Sequence, residues 1–369
     1  MANGAGVKAS TRLIGPLATA VALAATAVLA SCSPARLYEA GRLLRDVVES
    51  APAGPAASRG AGIVYPGPDG PTAADLYLPP GVADVREADA ALLLVPGLAP
   101  RGPADARLIP FARALSRAGF AVMVPDIAGF RAQRIGPGDV EAIAAALLAL
   151  DDLRAGPRRR PLGVAAISYA AGPALLATMR PAARGKVDFL LAVGGYYDLT
   201  DVLTYFTTGY ERDGPGQPWR RGRPNAYGKW VFVRANLDRI ADLRDRTTLA
   251  AMADRRMADL GAPIDDLAAT LGSEGRAVYD LIVNTDPERV PALAARLPAG
   301  LRADMAALDL EGRDLSAAPP RILLVHGRDD PTIPAGESVA LAAALPAGRA
   351  ELVIIDSLAH VDLGAAGWR

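Results

Sequence analysis

A serine and two histidines are the residues of this sequence best suited to nucleophilic catalysis. Ser168 follows an apolar run from Leu162 to Ile167 and precedes several small residues. A serine hydroxyl is a weak nucleophile at neutral pH, and it needs an imidazole base that a carboxylate in turn orients. The chain has only two histidines, His326 and His360. If Ser168 is a nucleophile, one of these two must be its base.

The segment around Ser168 reads Gly163-Val-Ala-Ala-Ile-Ser168-Tyr-Ala-Ala-Gly172. It resembles the nucleophile elbow of the α/β-hydrolases. In that elbow a strained turn joins a strand to a helix, and the residues two before and two after the serine are small because strand and helix nearly touch. The family pattern is G-x-S-x-G, and here Ala166 and Ala170 replace both glycines. The alternative interpretation is that Ser168 is an ordinary helix N-cap.

The segment that begins at His326 resembles a second motif of the same family. It reads His326-Gly-Arg-Asp-Asp330-Pro-Thr-Ile-Pro334 and matches H-G-x-x-D-x-x-[VI]-P. The resemblance implies that Asp330 is the catalytic acid and that His326 is structural. Asp198 follows an apolar run at a position that other family members use for the acid. It is therefore the alternative acid.

His360 lies near the end of the sequence, after an apolar run from Glu351 to Ile355 and a short polar loop. The family places its general base there. The order Ser168, Asp330, His360 is also the one that this family uses. The resemblance therefore implies a Ser-His-Asp triad.

Acyl transfer also needs N–H donors that face the developing oxyanion. The backbone N–H of Tyr169 is one candidate, because this residue directly follows the nucleophile. The second is the N–H of Leu98. The segment Val95-Pro-Gly-Leu98 resembles the family's H-G-x turn, with proline in place of histidine.

The elements that must position these residues alternate along the chain. Apolar, strand-like runs are separated by helical patterns, which predicts right-handed crossovers and a mostly parallel sheet. The runs are Ala90–Val95, Phe120–Val124, Leu162–Ile167, Val187–Val193, Arg321–Val325 and Glu351–Ile355. The predicted fold class is α/β, namely an α/β-hydrolase fold with a mostly parallel sheet flanked by helices.

The alternation stops between Tyr196 and about Ala318, where helical patterns predominate. We expect a large helical cap inserted after the strand that ends near Val193. Nine aromatic residues fall between 196 and 232, and they either line an acyl or aryl pocket or form the core of the cap. Residues 209–225 are rich in Gly, Pro and Arg, which predicts a mobile lid rather than packed structure.

The N-terminus has the layout of an export signal, with Lys8 and Arg12 before an apolar stretch from Leu13 to Ala30. The sequence Leu29-Ala-Ser-Cys32 resembles the lipobox of bacterial lipoproteins. The resemblance implies cleavage before Cys32, lipidation of its thiol, and a membrane-anchored protein in the bacterial envelope that faces the periplasm or the exterior. An ordinary signal peptide and an uncleaved anchor are the alternatives.

These patterns divide the chain into five predicted segments. They are a signal peptide (1–31), a lipidated tether (32–60), a first core part (61–198), the helical cap (199–318) and a second core part (319–369). Forty basic residues balance forty acidic ones, so no nucleic-acid partner is expected. No Cys/His cluster, G-x-G-x-x-G or P-loop is present, so we expect neither a metal nor another cofactor.

The expected activity is hydrolysis of a small-molecule carboxylic ester, thioester or small amide. An acyltransferase with the same triad remains an alternative, because sequence does not distinguish water from another acceptor. A catalytically inactive, hydrolase-fold lipoprotein of the envelope is the non-enzymatic alternative.

Overall fold

The computed structural model describes residues 60–356. The predicted lipidation site Cys32 and the predicted base His360 lie outside the described residues. Within the described part of the chain, no helix is long and apolar enough to cross a membrane.

An eight-stranded sheet forms the centre of the molecule, in the spatial order β1-β2-β4-β3-β5-β6-β9-β10. Strand β2 is antiparallel to both of its neighbours, and all other pairs are parallel. The strands are β1 (Ala61–Gly67), β2 (Gly70–Tyr77), β3 (Ala90–Val95), β4 (Phe120–Pro125), β5 (Leu162–Ile167), β6 (Phe189–Val193), β7 (Tyr210–Glu211), β8 (Arg220–Arg221), β9 (Ile322–Gly327) and β10 (Ala350–Ile355). The short strands β7 and β8 form a separate antiparallel ribbon. The mostly parallel sheet confirms the predicted fold class.

Among residues 60–356, twelve α-helices cover both faces of the sheet or form the segment between β6 and β9. They are α1 (Leu108–Arg117), α2 (Ala128–Arg131), α3 (Gly138–Leu153), α4 (Ala171–Met179), α5 (Leu199–Thr208), α6 (Gly228–Ala235), α7 (Leu243–Ala258), α8 (Asp265–Ala268), α9 (Ser273–Ile282), α10 (Val290–Ala294), α11 (Ala299–Leu308) and α12 (Gly336–Ala344). Leu93 of β3 packs in one cluster with α3 and α4, whereas Leu92 and Leu94 pack on the opposite face with α1. All residues of β3 are buried, which explains its continuous apolar sequence.

The segment between β6 and β9 is largely helical and comprises α5 to α11. It has a hydrophobic cluster of its own, which includes Leu249, Met252, Leu281 and Val290. The predicted helical insertion after β6 is therefore present. We call residues 199–318 the cap.

The expectation that residues 209–225 lack packed structure is wrong in part, and their mobility as a lid stays a prediction. The segment contains the β7–β8 ribbon, and the Arg212 guanidinium lies 2.7 Å from the Asp201 carboxylate. A Cβ built on Gly336 would lie only 2.1 Å from the backbone oxygen of Arg212. The glycine thus permits the segment to pack closely against the start of α12. We call residues 209–225 the ribbon segment.

Candidate functional site

Ser168 directly follows β5 and begins a short 3-10 turn that leads into α4. Its φ is +57°, and among the described non-glycine residues only Gln133 also has a positive φ. A helix N-cap has extended dihedrals, so Ser168 does not have N-cap geometry. The left-handed conformation costs an L-residue about 1–2 kcal/mol. Strain of this kind at a half-exposed serine is typical of a functional turn.

Small residues surround this turn because its neighbours are close. Ala166 and Ala170 are both fully buried. A Cβ on Gly172 would lie 2.3 Å from the Tyr196 ring, and a Cβ on Gly195 would lie 2.5 Å from Ala171 Cβ. The two alanines that replace the family's glycines therefore fit the space that the turn leaves.

The turn after β3 lies against the turn that carries Ser168. Strands β3 and β5 are parallel neighbours, so both turns lie at the same edge of the sheet. A Cβ on Gly97 would lie 3.2 Å from Ile167 O and 3.4 Å from Ser168 Cβ. Within residues 60–356, the N–H of Leu98 makes no backbone hydrogen bond. Gly97 is thus a direct neighbour of Ser168, and the predicted oxyanion donor Leu98 is the next residue in the chain.

Tyr169, the other predicted oxyanion donor, is fixed in position by the packing of its side chain. The ring is stacked on Tyr196 with a centroid distance of 5.8 Å and meets Phe130 edge-on at 6.0 Å. Burial raises the pKa of the Tyr169 phenol well above its ordinary value, so the side chain is neutral. This packing fixes the backbone that follows the candidate nucleophile.

Asp330 lies in the loop that follows β9, and its side chain is buried. Its Oδ1 accepts hydrogen bonds from the N–H groups of Thr332 (2.8 Å) and Ile333 (3.1 Å). Its Oδ2 lies 3.5 Å from His326 Nε2. Strand β6 alone separates β9 from β5, so Asp330 and Ser168 follow parallel strands and share one edge of the sheet.

His326 is fully buried within β9. Its Nδ1 lies 2.7 Å from Ser338 Oγ, and its Nε2 lies 2.9 Å from Ile333 O. A neutral ring that donates from Nε2 and accepts the Ser338 hydroxyl at Nδ1 satisfies both contacts. These are the surroundings of a structural histidine, as the family resemblance implies. The role of His360 as base stays a prediction.

Asp198, the alternative acid, is the N-cap of α5. Its Oδ1 accepts hydrogen bonds from the N–H groups of Thr200 (2.7 Å) and Asp201 (3.3 Å). Its own N–H donates to Glu337 Oε2 at 2.7 Å. The carboxylate therefore already satisfies a helix terminus, a role that does not depend on catalysis.

Three carboxylates, those of Asp198, Asp309 and Glu311, offer oxygens within 4.8 Å of one another. Oxygen ligands of this kind suit a hard cation such as Ca²⁺. Burial raises the pKa of the Asp309 carboxyl to about 6, and Asp309 Oδ1 accepts the N–H of Leu199 at 3.0 Å. Asp198 and Asp309 thus satisfy backbone donors at the start of α5.

Sequence reasoning missed Glu337. This fully buried carboxylate accepts the N–H groups of Tyr197 (2.8 Å) and Asp198 (2.7 Å) through Oε2. Burial raises its pKa well above the ordinary value. Glu337 thereby ties α12 to the turn after β6, and no local pattern around residue 337 indicates this distant contact.

The aromatic cluster between residues 196 and 232 is used mainly for packing. Tyr196, Tyr205 and Trp230 are buried, and Trp230 belongs to the core of the cap. The rings of Phe206 and Phe232 lie 5.3 Å apart and pack against that same core. Trp230, Phe206 and Phe232 thus contribute to the core of the cap, whereas Tyr196 packs in the core of the sheet.

Neither a protein-family model nor a curated protein sequence matches the chain. Several solved structures are similar to it. A puromycin-hydrolyzing peptidase from Mycobacterium tuberculosis is 17% identical, with a TM-score of 0.42 over 84% of this chain and 38% of the peptidase. The chain therefore spans less than two fifths of that protein.

Two esterases match over most of both chains. The esterase from Thermogutta terrifontis is 14% identical, with a TM-score of 0.45 over 82% of this chain and 83% of the other. The esterase from Pyrobaculum calidifontis is 16% identical, with a TM-score of 0.43 over 86% and 80%. Similarity at this level carries no conclusion about this chain. The sheet order and the turn after β5 show that this chain has the α/β-hydrolase fold.

Proposed function

We propose that the protein is a serine hydrolase that cleaves a small-molecule carboxylic ester, thioester or small amide. Ser168 is the nucleophile, His360 the general base and Asp330 the acid. The observation that carries the proposal is the left-handed φ of +57° at Ser168, immediately after β5. Non-glycine residues rarely adopt this conformation, and such strain is concentrated at functional sites.

The proposed reaction assigns one step to each group. His360 takes the proton from Ser168 Oγ while this oxygen bonds to the substrate carbonyl carbon, and the carbonyl electron pair moves onto oxygen. The N–H groups of Leu98 and Tyr169 donate hydrogen bonds to this oxyanion. His360 then protonates the leaving alcohol, thiol or amine, and its bond to carbon breaks. Water repeats both steps on the acyl-serine, which releases the acid and restores Ser168.

A buried acid is consistent with this sequence of steps. The two N–H groups that bond Asp330 Oδ1 hold the side chain in one orientation. A carboxylate fixed in this way stabilises the imidazolium that forms when His360 accepts the proton. The bonds of Oδ1 remain in place if Oδ2 accepts the His360 N–H.

Labelling with an alkyl fluorophosphonate tests the proposal, because this probe reacts with an activated serine. We expect the full-length protein in detergent to be labelled and Ser168→Ala to remain unlabelled. Ser273→Ala, which changes an exposed serine of the cap, is the matched control and should be labelled normally. Labelling of Ser168→Ala would identify another nucleophile. No labelling of the wild-type protein would favour the inactive lipoprotein instead.

The location of the reaction is also part of the proposal. The Leu29–Cys32 pattern supports cleavage before Cys32 and lipidation of its thiol, which would hold the hydrolase at the bacterial envelope. Two or more acyl chains on one residue exceed the marginal membrane affinity of a single chain.

A further inference from the structure

We propose that Tyr205 of the cap is a positioning residue for the catalytic acid: its hydroxyl holds the backbone of Asp330 and thereby the orientation of the carboxylate. This inference rests on the function proposed above. It makes activation of Ser168 depend on contact between the cap and the loop after β9.

The central observation is a buried hydrogen bond between residues far apart in sequence. The Tyr205 hydroxyl, at the end of α5, donates to the backbone oxygen of Asp330 at 2.8 Å. Tyr205 is 3% exposed, so this bond is shielded from water. Burial raises the pKa of the Tyr205 phenol well above its ordinary value, which keeps it protonated and able to donate across the working pH range.

A second bond from the cap holds the neighbouring carbonyl. The N–H of Asn225, at the end of the ribbon segment, donates to Pro331 O at 2.7 Å. Two consecutive backbone carbonyls of the loop after β9, those of Asp330 and Pro331, therefore accept hydrogen bonds from the cap. On its other side, the loop is closed by the Oδ1 bonds of Asp330 to Thr332 and Ile333. The direction of Oδ2 thus depends on bonds within the loop and on bonds from the cap.

The ribbon segment keeps the Tyr205 ring in place. A Cβ built on Gly222 would lie 2.5 Å from Tyr205 Cε2, so the glycine backbone lies directly against the ring. The N–H of Gly222 donates to Gly209 O at 2.9 Å, which closes the base of the ribbon. A side chain at position 222 would therefore displace the Tyr205 ring, although Tyr205 itself would keep its hydroxyl group.

A positioning role has a signature that a purely structural role lacks. A well-oriented carboxylate stabilises the protonated imidazole and so raises the pKa of the base. If Asp330 loses its orientation, the pKa of the base falls, and the acidic limb of the pH–rate profile moves to lower pH. The rate on the plateau falls as well, because the imidazolium in the transition state is less stabilised.

The test is the second-order rate of alkyl fluorophosphonate labelling of the full-length protein in detergent, measured from pH 5 to pH 9. We expect Tyr205→Phe to be slower on the plateau by about fivefold, the effect of one lost hydrogen bond, with its acidic midpoint at lower pH. Gly222→Ala should show both changes. The double variant should be no slower than the slower single variant, because both substitutions remove the same bond.

Tyr196→Phe is the matched control for stability. It also removes a buried phenol bond between core and cap, the 2.9 Å bond from Tyr196 to Leu308 O. We expect a melting temperature close to that of Tyr205→Phe but a wild-type pH midpoint. A wild-type midpoint and plateau rate in Tyr205→Phe would overturn the positioning role and leave the proposed hydrolase intact. An unlabelled wild-type protein, or a labelled Ser168→Ala, would overturn both.

Discussion

Replacing each of the two candidate acids, Asp330 and Asp198, by asparagine distinguishes a catalytic role from a structural one. Asp330→Asn keeps an oxygen for the N–H groups of Thr332 and Ile333, so the loop can retain its shape. In the proposed triad, it removes the charge that fixes the tautomer of His360 and stabilises the imidazolium. In a Ser-His-Asp triad this change lowers the rate about 10⁴-fold, which is about 5.5 kcal/mol of transition-state stabilisation.

The expected loss of stability is smaller than this loss of rate. Two hydrogen bonds to a charged oxygen become bonds to a neutral one, a difference of about 1 kcal/mol for each bond. Removal of a buried charge from Asp330, which is 1% exposed, partly offsets that loss. The free energy of unfolding of Asp330→Asn should therefore fall by less than about 2 kcal/mol, and the variant should remain folded.

Asp198→Asn is the matched comparison. Asparagine caps a helix about as well as aspartate, so the bond to the N–H of Thr200, now 2.7 Å, can be kept. The substitution also removes one charge beside Asp309 and Glu311. We expect a melting temperature at or above the wild-type value and a normal rate of fluorophosphonate labelling. Loss of labelling in Asp198→Asn, together with normal labelling of Asp330→Asn, would refute the assignment of Asp330 as the acid.

Three further predictions concern strain, pH and the anchor. Ser168→Gly should have a free energy of unfolding about 1–2 kcal/mol higher than that of Ser168→Ala, and hence a higher melting temperature, because glycine adopts a φ of +57° without strain. Equal melting temperatures would show that the turn is unstrained. Burial raises the pKa of the Asp139 carboxyl from 3.8 to about 6. Between about pH 4 and pH 6, the folded protein therefore holds a proton that the unfolded chain has lost. The free energy of unfolding falls as pH rises through this window. Asp139→Asn should therefore stabilise the protein more at pH 8 than at pH 4, by up to about 3 kcal/mol. An equal increase in the free energy of unfolding at both pH values, measured by denaturant titration, would contradict the effect of burial. Radiolabelled palmitate should enter the wild-type protein expressed in bacteria and not Cys32→Ala, and incorporation into the variant would exclude this lipidation site.

The central strands of the sheet were predictable because they are buried on both faces. Such strands need continuous apolar residues, and for this reason the predicted bounds of β3 and β5 agree with the structure. The turn at Ser168 was suggested by the small residues around it, since close packing against Tyr196 excludes larger ones. Local sequence thus carried enough information for the central strands and for the candidate nucleophile.

Contacts that depend on the packing of the cap were not predictable in this way. The bond from Tyr205 to Asp330 O joins residues 125 positions apart, and no periodic pattern relates them. The packing of the ribbon segment was not predicted, for a different reason. Glycine is common in mobile loops, but it also permits close approach of two backbones, as at Gly336.

The position of the cap between β6 and β9 has a consequence for biosynthesis. Leu190 of β6 pairs in register with Ile322 of β9, so β6 stays an open, apolar sheet edge until the last part of the chain has been made. An open edge can pair with another molecule. Chains that stop before Ile322 should therefore aggregate. Rapid folding of the cap around its own core brings β6 and β9 together, which shortens the time for which this edge is exposed.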